Sequence, residues 1–328
     1  MALTLSLFRR PGSIVFLDDD TDYLETLAMV IPAAWQVALY SRPSAFLRRM
    51  REEPAHWEAD AVQQLQMIER WRQGQPLIPQ VLHYWASRPE RYQLAQTCVV
   101  DYAMPGTDGL TVLNTLLDWP GSRVLLTGQA DEQIAIQAFN NGLIDQFVPK
   151  QTTDITRHLL GVLQRLAQAP HPRLNTVWRS VLTPNQLSLL QIPSVAQYLR
   201  DYTLNHWVEY VVIGEPFGLL GMDGHGQVHW LQLEPTASLG DLAELAASAA
   251  LGMDTIHAIR SGERLAAVEL HQHLGLRGPV RTATAIGIGE DRLLTAATFT
   301  LDAAELPLPI YPYRHFLRDE ADRTVQDE

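Results

Sequence analysis

The sequence predicts an α/β domain, a doubly wound five-stranded parallel sheet with a helical insertion, followed by an α+β domain. Three observations carry this. Short apolar runs alternate with segments of helical spacing from residue 13 to residue 168. Several of these runs end in a chemically loaded residue: Asp18, Asp19 and Asp20, then Asp101, Thr127 and Lys150. A proline-rich stretch, APHPR at 169–173, then breaks the alternation. Alternating strands and helices imply a parallel sheet covered on both faces. In such sheets functional groups collect at the carboxyl ends of the strands.

The elements follow in order. SIVFLDDD (13–20) is a buried strand ending in three acids. TDYLETLAMVI has helical spacing, with Tyr23, Leu24, Leu27 and Val30 on one face and Asp20 or Thr21 as the cap. WQVALY is a second strand, and PSAFLRRM starts a second helix. Residues 51–91 break the rhythm and read as an inserted helical hairpin, with Val62, Leu65, Ile68 and Trp71 in register and a turn at Gly74 and Pro76. QTCVVDYAMPG is a strand ending at Asp101, and GLTVLNTLLD a helix. SRVLLTGQ, DEQIAIQAFNNG, IDQFVPK and TDITRHLLGVLQRLAQA continue as strand, helix, strand and helix. Domain boundaries at 1–168, a linker at 169–173 and a second domain at 174–328 follow.

Length and composition narrow the options. The 328 residues leave room for two domains, and 46% apolar residues suffice for two cores. No apolar run reaches 18 residues, so no membrane span is expected. MALTLSLFRRPGS places its basic pair after a short apolar stretch, the reverse of a secretory signal, and reads as a lead-in to the first strand. The single cysteine, Cys98, forms no internal disulfide, which points to the cytosol. A net charge of −12 argues against nucleic acid as the partner. Lys150 is the single lysine, and every other basic residue is Arg. An ammonium is kept where a compact charge, rather than a planar guanidinium, is needed.

The strand-end residues make a coherent chemistry. Converging carboxylates repel one another, and a hard divalent cation such as Mg²⁺ relieves the repulsion. A carboxylate beside such a cation can attack a phosphoryl group and become an acyl phosphate. The transferring oxygens need positive charge and a hydroxyl donor, which Lys150 and Thr127 supply. Taken singly, each Asp reads equally as a cap or turn residue, Asp20 and Asp22 above all, and Lys150 as a solvated strand-end charge.

The segments FLDDD, VVDYAMPGTDG, LLTGQAD and FVPK, in this order, resemble the receiver (CheY-like) domains of two-component response regulators. The resemblance covers residues 13–168 apart from the insertion and implies a flavodoxin-like fold. It implies that Asp101 is the phosphoacceptor. It implies a Mg²⁺ site from Asp18, Asp19, Asp101 and the carbonyl of Ala103. Thr127 and Lys150 become the phosphoryl-binding pair and Phe147 the aromatic switch position. A sensor histidine kinase or phosphotransfer protein is the implied donor. Two features depart from the family. Asp19 and Asp101 lie 82 residues apart, nearly twice the usual distance, with the excess at 51–91. The insertion, with Trp57, Trp71 and Trp85, is expected to pack on its own domain or on a second subunit. Ala103 is small where the family often carries a side chain that tunes hydrolysis.

The second domain carries less signal. From residue 173 onward there are 11 Arg against 19 Asp plus Glu, so no basic recognition face forms and a transcription regulator is disfavoured. Residues 174 to about 209 read as mostly helical, and GLLGMDGHGQVHWLQL as a hairpin around Asp223-Gly224. SLGDLAELAASAALGMDTIHAI and ERLAAVELHQHLG read as helices, VRTATAIGIGEDRLLTAATFTL as a second hairpin, and the C-terminal segment as a polar, frayed tail. MDGHGQ resembles the metal-binding start of metal-dependent phosphatases, but a hairpin turn explains the same letters. His225, His229, His257, His271 and His273 read as solvated or core histidines; His271 and His273, two apart, do not face one site on a helix. The order of elements resembles a PAS-type sensor domain, and also quorum-sensing regulators without a DNA-binding domain. The expected function is a phosphorylation-controlled switch acting through protein contacts, with a homodimer or a small ligand as output. A receiver-regulated phosphatase or nucleotide enzyme is the alternative.

Overall fold

The computed structural model describes residues 5–128 and 131–326. In chain order the first elements are β1 (Phe8–Arg9), β2 (Ser13–Leu17), α1 (Thr21–Val30), β3 (Gln36–Tyr40), α2 (Pro43–Met50), α3 (Glu53–Arg72) and α4 (Leu77–Ser87). Next come β4 (Ala95–Asp101), β5 (Ala103–Met104), β6 (Thr107–Asp108), α5 (Gly109–Asn114), β7 (Ser122–Thr127), α6 (Glu132–Asn140), β8 (Gln146–Pro149) and α7 (Ile155–Gln168). Three helices follow, α8 (Pro172–Arg179), α9 (Pro184–Gln191) and α10 (Pro193–His206), then β9 (Glu209–Ile213), β10 (Gly218–Met222) and β11 (Val228–Pro235). The chain closes with α11 (Leu239–Ser248), α12 (Met253–Arg260), β12 (Arg264–Ala266), α13 (Val268–His273), β13 (Thr282–Thr284), β14 (Ile286–Ile288), β15 (Leu294–Thr300) and α14 (Tyr313–Gln326). Among the described residues no helix is long and apolar enough to cross a membrane.

The chain divides into two compact units, neither continuous in sequence. One comprises Pro11–Val62, Glu90–Ala169 and the chain from Asp319 onward; the other comprises the chain up to Arg10, Gln63–Pro89 and Pro170–Arg318. The expected boundaries, 1–168 and 174–328, differ from this division. The insertion is shared, because the division falls inside α3 between Val62 and Gln63.

The first unit holds a five-stranded parallel sheet in the order β3-β2-β4-β7-β8. Its strands are short because each is an apolar run bounded by polar residues or turns. β2 is buried at all five positions. Ile14, Phe16, Val99, Val124, Leu126 and Val148 pack with Leu24 and Leu27 of α1 and Leu159, Val162 and Leu163 of α7. Burying a side chain such as Phe16 contributes about 1.5–3 kcal/mol. On the opposite face Val15, Leu17, Cys98, Val100 and Leu125 are also buried, as a sheet covered on both sides requires. The expected face of α1 is formed by Tyr23, Leu24 and Leu27, whereas Val30 is 41% exposed.

The helical hairpin forms as expected, but its buried stripe differs. Val62 and Leu65 are exposed; Trp57, Ala61, Met67 and Ile68 are buried, together with the polar Gln64. Apolar letters at helical spacing marked the element but not the face, because polar residues here have buried partners. The Trp57 indole N–H donates to the Ala95 carbonyl (3.0 Å). The buried Glu53 carboxylate accepts the Ala95 amide (3.0 Å) and pairs with Arg49. Trp85 is fully buried, while Trp71 is half-buried.

The second unit is built on a six-stranded antiparallel sheet, β1-β9-β10-β11-β15-β14. The lead-in segment supplies its edge strand, with Phe8 opposite Val211. Phe8 also stacks on Trp178 (6.0 Å between centroids), whose indole N–H donates to Gln64 Oε1 (2.7 Å). The β10–β11 hairpin turns at Asp223, as expected. At Gly221 an added Cβ would lie 2.1 Å from the Trp207 ring, so only glycine fits there.

Several local expectations are corrected. The linker is shorter than 169–173, since α8 starts at Pro172. The segment after Gly262 is not one helix: β12 pairs with β13, and only α13 is helical. The second hairpin is therefore β14–β15. The C-terminal segment is a helix with Tyr313 and Phe316 buried, not a polar tail; the end expected to fray, 327–328, lies outside the described residues.

Candidate functional site: an acidic cluster at the strand ends

Parallel strands bring their carboxyl ends to one edge, so residues far apart in sequence meet there. Asp18 and Asp19 directly follow β2, Asp101 ends β4, Thr127 ends β7 and Lys150 directly follows β8. β2 and β7 flank β4, which places Asp101 centrally.

Three carboxylates converge. Oxygen atoms of Asp18, Asp19 and Asp101 lie within 4.8 Å of one another. Asp18 and Asp101 are buried, at 1% and 5% exposure, whereas Asp19 faces solvent. Lys150 bridges the buried pair, its Nζ 2.7 Å from Asp18 Oδ2 and 2.8 Å from Asp101 Oδ1. Its backbone N–H donates to the Thr127 carbonyl (2.8 Å), so the root of the side chain is fixed by the sheet.

The electrostatics follow from burial. Desolvation holds both buried carboxyls above the ordinary range, and Lys150 opposes it; at Asp101 the neighbouring Asp18 charge adds to the rise. Burial pulls the Lys150 ammonium down, but its hydrogen bonds to Asp101 and Asp18 outweigh this, so it ends above the usual lysine value. A further cation placed among the three carboxylates would relieve the same repulsion. All donors are hard oxygens, one open to solvent, and they fit Mg²⁺.

The remaining expected residues occupy the surroundings. Ala103 is exposed and opens β5, opposite Asp108 in a two-pair ladder. Thr127 is fully buried, and its hydroxyl has no hydrogen-bond partner among the described residues. Phe147 lies in β8 opposite Leu125 and is half-buried.

Sequence reasoning named Asp20 as a cap of α1, which it is, but did not name Tyr23 or Gly109 as site residues. Asp20 is the tie between site and helix: its N–H donates to Asp18 Oδ1 (3.0 Å) and its carboxylate caps α1 through the Tyr23 amide (3.0 Å). Tyr23 faces Lys150, with Nζ 4.9 Å from the ring centroid. Gly109 lies against the acceptor strand, where an added Cβ would fall 2.3 Å from the Asp101 carbonyl oxygen.

The second unit gathers no comparable cluster among the described residues. Asp223 is occupied by its own turn, accepting the amides of His225 (2.8 Å) and Gln227 (3.0 Å). His229 hydrogen-bonds Thr300 (3.1 Å), and burial lowers its pKa. His271 and His273 lie on α13.

No protein-family model matches the sequence, and none of the curated proteins matches it. Solved structures do. The Legionella pneumophila response regulator LqsR aligns over 97% of this chain and 97% of its own, at 21% identity and a TM-score of 0.71. Receiver-domain structures align over about half of the chain. One, from Clostridium thermocellum, covers 48% of this chain and 94% of its own (16% identity, TM-score 0.32). The BeF3-activated DrrB receiver domain covers 48% and 99% (15% identity, TM-score 0.31). The parallel-sheet unit with its strand-end carboxylates and lysine, and the full-length likeness, give this chain the fold of a CheY-like response regulator with a C-terminal domain of another kind.

Proposed function

We propose that this protein is a phosphorelay response regulator in which Asp101 accepts a phosphoryl group from a histidine kinase or phosphotransfer protein. One observation carries the reading: a buried Asp at a central strand end shares the chain's single lysine with a second buried Asp. An Asp101 oxygen attacks phosphorus, the bond to the donor breaks, and an acyl phosphate forms on Asp101. Bound Mg²⁺, held by Asp18, Asp19, Asp101 and the Ala103 carbonyl, would neutralise phosphoryl charge. Lys150 places its ammonium against the acceptor carboxylate, where transferred oxygens gather. The buried Thr127 hydroxyl is a donor without a competing partner among the described residues. Phe147, half-buried on the neighbouring strand, is the residue that would follow Thr127 inward.

The output is assigned to the antiparallel-sheet domain, acting in the cytosol through protein contacts or a small ligand in the manner of a PAS-type domain. Self-association is part of the reading. Ile136 and Phe139 of α6, three residues apart between Thr127 and Lys150, are 42% and 45% exposed and offer an apolar contact that the switch can alter. The test is incubation with Mg²⁺ and a small phosphodonor, read by intact-mass spectrometry. One added phosphoryl group, absent in Asp101→Asn, supports the proposal. Equal uptake by Asp101→Asn overturns the site.

A further inference from the structure

We propose that Tyr23 is a positioning residue for Lys150: its ring face holds the ammonium at the acceptor carboxylate. The inference rests on the reading of Asp101 as phosphoacceptor and goes beyond the residues that reading uses.

Three sides of the Lys150 ammonium are described: Asp18 Oδ2 at 2.7 Å, Asp101 Oδ1 at 2.8 Å, and the Tyr23 ring centroid at 4.9 Å. The last distance is that of a cation–π contact. The ring is held on both ends. Its backbone N–H is tied through Asp20 to Asp18, at 3.0 Å for each link. Its body packs on the apolar core between sheet and helices. The Lys150 stem starts from a backbone amide bonded to Thr127. A lysine side chain is flexible, and this one is 28% exposed, so solvent competes for its charge. The two carboxylates alone hold it only while both are charged and free. A phosphoryl group on Asp101 changes that carboxylate, whereas the ring face does not change. Tyr23 therefore keeps the ammonium at the site through the reaction.

The ring, not the hydroxyl, does this. The Tyr23 hydroxyl is buried without a hydrogen-bond partner among the described residues, so removing it breaks no bond. Tyr23→Phe is expected to behave as the wild type, and Tyr23→Leu to lose the effect.

Two readouts test this on the full chain. The first is the side-chain ¹⁵N–¹H signal of Lys150 after lysine labelling, which needs no assignment because the chain has one lysine. Ring-current shielding is expected in the wild type and Tyr23→Phe and lost in Tyr23→Leu. The second is the affinity for beryllofluoride with Mg²⁺, expected to fall about tenfold in Tyr23→Leu and less than about twofold in Tyr23→Phe. If Tyr23→Leu does not fold, pentafluorophenylalanine at position 23 keeps the shape and reverses the ring's charge distribution; the same loss is expected. An unchanged signal and affinity in the ringless or fluorinated variant overturns the role of Tyr23, as does a Tyr23→Phe loss equal to that of Tyr23→Leu. A wild type that binds no beryllofluoride overturns the phosphoacceptor reading itself, and this inference with it.

Discussion

Replacing Lys150 by Met keeps most of the side chain's length and removes its charge. The consequence can be worked from the geometry. Asp18 and Asp101 retain only 2% and 7% side-chain exposure, and each has Lys150 within 2.8 Å. Without it, two buried carboxylates and the nearby Asp19 face one another with no cation. Two unit charges about 4 Å apart at an effective dielectric of about 20 repel by about 4 kcal/mol. Removing one partner of a buried pair costs about 3–5 kcal/mol. The 28% exposure of Lys150 reduces this, and about 2–3 kcal/mol is the expected loss near pH 8 without divalent cations.

The sign with pH is determined by the carboxyls. Both are already raised by burial, and loss of the ammonium raises them further. The folded state then keeps a proton that the unfolded state releases near pH 4. Stability of the variant falls as pH rises from there through the raised value, and the deficit shrinks on acidification. Mg²⁺ restores the missing charge, so it stabilises Lys150→Met more than the wild type. Urea unfolding with and without Mg²⁺, at about pH 5.5 and about pH 8, measures all three effects. A variant as stable as the wild type at the higher pH without Mg²⁺ refutes the reasoning. So does a smaller Mg²⁺ effect in the variant.

Other consequences are simpler to check. Asp19→Asn, at an exposed ligand, is expected to weaken Mg²⁺ binding by about tenfold or more with a stability change within about 0.5 kcal/mol, read by calorimetry and thermal melting. Gly109→Ala forces a methyl to 2.3 Å from the Asp101 carbonyl oxygen, where neither backbone can yield cheaply. A loss of about 1–3 kcal/mol together with reduced phosphate uptake is expected; native stability would refute the contact. Burial pushes Glu234 up to about 7, with its bond from Gln232 opposing and Glu269 adding. The folded state therefore holds a proton that the unfolded state loses at lower pH, so stability falls as pH rises through this window. Glu234→Gln is expected to flatten that decline, seen by comparing denaturation midpoints at about pH 5 and about pH 8.

The site was legible because its signals are local. Asp18, Asp101, Thr127 and Lys150 each stand at or just beyond the end of an apolar run, and a parallel sheet brings such ends to one edge whatever the loops between them do. The 82-residue gap between Asp19 and Asp101 did not disturb this, since the hairpin formed by α3 and α4 enters and leaves between strands. Tyr23 and Gly109 were not legible as site residues. An aromatic on a helical face and a glycine before a helix are ordinary letters, and only distances show a ring over an ammonium or a Cβ-sized gap that is absent.

The sequence alone marked the strands of the parallel sheet and the carboxylate, hydroxyl and ammonium groups at their ends. Tertiary structure decided where the weaker segments went. Phe8 and Arg9 became an edge strand opposite residues more than two hundred positions away, because pairing partners are set by the sheet and not by neighbours in sequence. The same holds for β12, read as helix from its composition and turned into a strand by pairing with β13. α3 buries Gln64 and exposes Leu65, since a polar side chain whose acceptor is met by Trp178 costs less to bury than its letter suggests. Periodicity reports solvent and core within one element, whereas partners for buried polar groups and strand edges come from elsewhere in the chain.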